Sequence, residues 1–209
     1  MEEYLSEREQ WERILTWLRE QGPWLVAGVA LAAAGIGGWR LYQARTADRD
    51  LQAGARYTQV IDAFSRSDFS GGVRLTDDLV REFPLSAFAD QAELAAARIH
   101  VENNEPDKAL ARLRHVMESS RDRELALIAR LRLARVLLDQ NKVDEALATL
   151  NAAAPGAFAP RYAEARGDAL LAKGDRAGAL REYRTARAGG AGVLDTDLLD
   201  LKINELARS

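Results

Sequence analysis

The chain has 209 residues and 23.0 kDa, 47% apolar and 29% charged, so it has material for a core and is not globally disordered. Its 29 basic and 32 acidic residues leave a net charge of −3, which argues against a general nucleic-acid binder, whose affinity rests on a phosphate-neutralising excess of Lys and Arg. The lack of cysteine excludes disulfides, Cys-ligated zinc, iron–sulfur clusters and thiol chemistry, and two histidines leave little for a His-ligated metal.

The first predicted element covers residues 1–22, a short acidic helix with six acids against three bases. Trp11, Ile14, Leu15 and Leu18 recur at helical spacing and form one apolar stripe, suited to a membrane surface or a partner. Gln21 to Trp39 then carry no charge over nineteen residues. As a helix this run measures about 28 Å, close to one hydrocarbon thickness. Trp24, Trp39 and Tyr42 stand near its ends, where amphipathic rings favour the membrane interface, and beside Leu41 the Arg40 guanidinium can snorkel outward. Pro23 falls at a first-turn position, where its missing N–H costs little. A buried core helix and a cleaved signal peptide compete with this reading. The flanking aromatics weigh against the first and the long acidic lead against the second, so a retained transmembrane helix over residues 23–42 is expected. The arginines on its two sides do not choose an orientation. Gly28 with Ala32, or Ala34 with Gly38, has the small-xxx-small spacing that seats another helix, or that simply marks a weakly apolar anchor.

Residues 43–209 show apolar positions three and four apart and no alternating strand pattern, so an all-α domain is expected. The turn segments FSRSDFSGG, VENNEPDKA, LDQNKVDEA and LAKGDRAGA interrupt it at regular intervals. Ala109, Ala146 and Ala179 open equivalent second helices, followed four residues on by Leu113, Leu150 and Tyr183. Ala97, Ala134 and Gly167 repeat on the first helices, and Gly72, Leu79 and Pro84 fit a degenerate earlier copy. A period near ~34 with small residues at helix crossings is the signature of a helix–turn–helix repeat. This pattern resembles the tetratricopeptide repeat family, best in Ala165 to Ala186, although the first helices lack the family's usual aromatic residue. The fold expected is a divergent helical solenoid, closed by a cap helix over Asp195 to Ala207.

Catalytic constellations are missing: no P-loop, no GxGxxG and no HExxH. His100 and His115 read as structural, and no enzyme, cofactor or metal is expected. In the tetratricopeptide family the first helices line the ligand groove. That resemblance points to Leu94, Arg98 and Val101, then Leu131, Arg135 and Leu138, then Glu164, Asp168 and Leu171. Arg98 and Arg135 are equivalent positions and would suit an extended peptide, with Leu contacting its side chains. The competing reading, which carries more weight here, is that these arginines solvate a surface or pair with Glu93 and Asp139.

A short acidic helix ending in Gly22, a span closing with Gly38-Trp39-Arg40 and a divergent repeat array resemble the YfgM family of ancillary SecYEG translocon subunits. LRLARV at Leu131 to Val136, RGDALLAKGD at Arg166 to Asp175 and LKIN at Leu201 to Asn204 look like that family too. The resemblance implies a single-pass bacterial inner-membrane protein with a cytoplasmic N-terminus and a periplasmic repeat domain. It implies as partners the lipid bilayer, SecYEG, the membrane-anchored periplasmic chaperone PpiD and translocating polypeptides. The alternative is an assembly scaffold for another envelope or cytoplasmic complex, with the same fold and a different partner.

Overall fold

The computed structural model describes residues 7–190, 192 and 194–208, and within the first helix it leaves some side chains undescribed. Its described residues form helices α1 (Glu7–Ser65), α2 (Phe69–Glu82), α3 (Ala87–Glu102), α4 (Pro106–Ser119) and α5 (Arg123–Asp139). Helices α6 (Val143–Asn151), α7 (Ala159–Ala172), α8 (Arg176–Gly189) and α9 (Thr196–Arg208) follow, with a short 3-10 turn at Gly156–Phe158 before α7. The chain divides into two units, Met1–Leu51 and Gln52–Ser209.

In the first unit α1 continues through the Gly22–Pro23 step, where the sequence offers a boundary. Trp11, Leu15 and Trp17 are exposed there, as are Trp24, Leu31, Ile36, Trp39 and Tyr42. Among the described residues, a methyl group at Gly28 or Gly38 would meet nothing within 4 Å. Among the described residues no helix is long and apolar enough to cross a membrane. The side chains of Ile14, Leu18, Pro23, Leu25, Val26, Val29 and Leu41 lie outside the described ones, and with them part of the expected amphipathic stripe and anchor.

The second unit is an all-helical solenoid built by one repeated turn. Ser67, Asn104, Asn141 and Gly174 each adopt positive φ (61°, 57°, 60° and 87°) at the end of a first helix. In each case the next residue's N–H returns to a carbonyl five residues back: Asp68 to Ala63, Glu105 to His100, Lys142 to Leu137 and Asp175 to Leu170, at 2.8–2.9 Å. This left-handed closure satisfies carbonyls the helix end would leave open. Asp68 and Asp175 then accept from the N–H groups of Gly71 and Gly178 and cap the second helices. The four turns recur at the spacing of the repeats, so the degenerate first copy is real: its first helix is the end of α1 and its second is α2.

Consecutive helices pack in hairpins, and the first helices α3, α5 and α7 also touch one another. Small residues set the crossings: Ala97, Ala109, Ala134, Ala146 and Ala179 are all essentially inaccessible. Aromatics fill what remains. Tyr162 and Tyr183 are fully buried, and the Tyr162 hydroxyl donates to the Leu127 carbonyl at 2.8 Å. Burying the Tyr162 phenol pushes its pKa up to about 12. The cap helix α9 buries Leu199 and packs Ile203 and Leu206 against Ala179, Tyr183 and Ala186.

Candidate functional site

The stacking of α3 on α5 leaves a cleft of about 310 Å³, lined by Ala97, Arg98 and Val101 of α3 and Leu113 of α4. Its other wall is Arg132, Arg135, Val136 and Asp139 of α5. The α5 residues stand at i, i+3, i+4 and i+7, one face of a helix. Three guanidinium groups therefore meet over an aliphatic floor.

Their partners differ. Arg98 donates to Glu102 at 2.7 Å, an exposed i,i+4 pair. Arg135 lies 3.9 Å from Glu164 of α7. Among the described residues Arg132 donates only to the Leu94 carbonyl, at 3.4 Å. Partial burial holds the Arg132 guanidinium below its ordinary pKa, and the charges of Arg98 and Arg135 push the same way. The expected pairing of these arginines with Glu93 and Asp139 is absent from the described ion pairs; Glu93 instead faces His115 and Arg112.

The structure thus brings Arg98, Val101 and Arg135 to one cleft and distributes the other groove candidates elsewhere. Leu94 and Leu131 are 5% and 4% exposed and belong to the core. Leu138 is half-buried against that core, and Leu171 is exposed at the end of α7. Glu164 and Asp168 are held by Lys202 of the cap helix, at 3.3 and 2.8 Å. Asp168 also accepts from the Tyr183 hydroxyl at 2.7 Å, and the Lys202 ammonium sits 5.2 Å from the Tyr183 ring centre. Burial, with this bond and nearby acids, raises the Tyr183 phenol far above its ordinary pKa. The last repeat's groove position is occupied by the chain's own cap. Arg132 is the cleft residue that repeat alignment misses, because its equivalents are Ala95 and Ala165.

A second polar cluster joins α3 to α4. His115 Nδ1 lies 2.5 Å from Glu93, and the Ser120 hydroxyl donates to Asp90 at 2.6 Å. Arg112 reaches Asp77 of α2 at 2.9 Å and Glu93 at 3.7 Å. Burial raises the pKa of Asp90 and Glu93, and these partners pull it part of the way back. Ser120 bonds Asp90 and the Asp122 backbone rather than His115, so no nucleophile is paired with a base here. His100 is buried with Nδ1 2.7 Å from Glu105, a tie across the turn between α3 and α4. Among the described residues no group of three His, Asp or Glu is arranged to hold a metal ion.

A family model described as a tetratricopeptide repeat-like domain matches residues 16–208. The chain is 29% identical to the ancillary SecYEG translocon subunit of Escherichia coli strain K12, over 99% of this chain and 100% of that one. It is 30% identical to the protein of the same name from Neisseria gonorrhoeae, over 99% and 100%. Among solved structures it is similar to MamA, with a TM-score of 0.51 and 14% identity over 70% of this chain and 91% of that one, a likeness of fold alone. The four left-handed turns, the stacked first helices and the end-to-end similarity agree: the chain belongs to the tetratricopeptide repeat-like family, among the proteins named ancillary SecYEG translocon subunits.

Proposed function

We propose that the chain is a non-enzymatic, membrane-tethered adaptor of the SecYEG channel, presenting its repeat domain to emerging polypeptide and to a periplasmic chaperone such as PpiD. The observation that carries this reading is similarity over essentially the whole chain to proteins named for their place beside SecYEG. The anchor is the uncharged run from Gln21 to Trp39, within the proposed segment 23–42, in an inner membrane with the N-terminus cytoplasmic. Trp24, Trp39, Arg40 and Tyr42 are exposed on its helix, as interfacial residues must be. Pro23 and Leu41 complete its ends. Tethering concentrates a weak polypeptide site where chains emerge, so modest contacts suffice. Residues 1–22 lie before the anchor and residues 43–209 after it.

Co-purification from detergent-solubilised membranes tests the adaptor role. Recovery of SecYEG subunits with the wild-type chain, and their loss when residues 23–42 are exchanged for an unrelated span, is the expected result. Recovery of a different complex with no SecYEG would favour an assembly scaffold and overturn the reading. Release of the protein by alkaline carbonate would overturn the anchor.

A further inference from the structure

We propose that Arg132, flanked by Arg98 and Arg135, binds an isolated acidic side chain of an extended polypeptide, whose neighbouring aliphatic side chain packs on the floor of the same cleft. The proposal deepens the adaptor reading and rests on it for the polypeptide. Three observations support it.

The first is charge. Among the described residues Arg98 is engaged only by an exposed pair with Glu102, of a kind that holds weakly in water, and Arg135 only at 3.9 Å by Glu164. Among the described residues Arg132 has no ion-pair partner, and its single bond is a long one to the Leu94 carbonyl. Arg132 is the guanidinium of the three without a carboxylate partner, and the positive charges of Arg98 and Arg135 beside it are a repulsion that an entering carboxylate relieves. Partial burial is the main cause of the depressed Arg132 pKa, and the charges of Arg98 and Arg135 add to it.

The second is the wall. Ala97, Val101, Leu113 and Val136 line the same cleft, and of these Val101, 40% exposed, is the one that offers open apolar surface, the other three being buried behind it. A bare inorganic anion would use none of that surface, whereas a side chain beside the acidic one would. The third is Asp139, which lines the cleft and makes no described ion pair or hydrogen bond. It can accept a backbone N–H from the bound segment, and it disfavours a run of consecutive acids. A chain emerging from a channel presents internal side chains well before its C-terminus, so the acid is an internal Asp or Glu.

The test uses the full chain in detergent and a fluorescent peptide alternating Leu and Glu, amidated at its C-terminus, read by anisotropy. Replacing its Glu with Gln should weaken binding about tenfold, the order expected of one partly desolvated charge-assisted bond. Arg132→Gln should weaken the Glu peptide by a similar factor and leave the Gln peptide unchanged. Arg98→Gln with Arg135→Gln, melting like wild type, provides a second variant with the same expectation should Arg132→Gln melt early. Equal affinity for the Glu and Gln peptides overturns the proposal. So does unchanged Glu-peptide binding in the variants, or binding that requires a free C-terminal carboxylate. SecYEG co-purification is read separately: its loss sinks the adaptor reading and leaves peptide selectivity intact, and a failure of selectivity leaves the adaptor reading standing.

Discussion

Gly167→Ala is the sharpest probe of how the repeats are held apart. A Cβ at Gly167 would stand 2.5 Å from both Cδ1 and Cε1 of Tyr183 and 3.1 Å from its Cζ. The ring has little room to retreat. It is fully buried, its hydroxyl is fixed to Asp168 at 2.7 Å, and Lys202 lies over its face. Overpacking of this kind costs about 1–3 kcal/mol, while replacing a mid-helix glycine returns about 1 kcal/mol of helix propensity. With the ring pinned, the overpacking falls at the upper end, about 2–3 kcal/mol, so the net expectation is a loss of about 1–2 kcal/mol, or roughly 2–8 °C in melting temperature for a domain of this size. Thermal melts followed by circular dichroism measure it. A double-mutant cycle with Tyr183→Leu should show the two changes coupled, the alanine costing less once the ring is gone. A Gly167→Ala variant melting at or above wild type would refute the account of this helix crossing.

Ala146→Leu should destabilise by about 1–3 kcal/mol, because Ala146 is wholly inaccessible where α6 meets its neighbours, and a wild-type melt would remove it from that crossing. Lys202→Met should cost about 1 kcal/mol and loosen α9 first, visible as faster hydrogen exchange in residues 196–208 with the other repeats unchanged. Asp90 and Glu93 hold their protons to higher pH in the folded chain than their ordinary values of 3.8 and 4.5. Their burden is therefore absent below those values, and stability falls as pH rises through the folded pKa values. Glu93→Gln should flatten that fall in urea midpoints from pH about 4 to neutrality. An unchanged slope would mean that His115, Arg112 and Ser120 fully compensate the burial.

The solenoid was legible because its determinants are local. Small residues at fixed intervals and turn segments with Asn, Asp and Gly repeat along the chain, and each copy corroborates the others. Even the degenerate first repeat shows itself in Gly72, which in the structure lies against Phe64. The cleft was only half legible. A helix face is broad, and alignment to the family placed the α5 groove stripe at Leu131, Arg135 and Leu138. The structure turns that stripe by one residue, to Arg132, Arg135, Val136 and Asp139, because Leu131 is needed in the core. An i, i+3, i+4, i+7 count finds all four when it starts from Arg132, a residue that the repeat alignment does not single out. The capture of Glu164 and Asp168 by Lys202 was not readable, since it joins residues more than thirty apart through a cap helix that belongs to no repeat.

The placement of the repeat domain across a membrane is the central claim, and the absence of native cysteine makes it directly measurable. Single Ser6→Cys and Ser209→Cys variants would be exposed to a membrane-impermeant thiol reagent in intact spheroplasts. The account predicts labelling at position 209 at once and at position 6 only after the membrane is permeabilised. Labelling at position 6 in intact spheroplasts, or protection of position 209 until lysis, would contradict it.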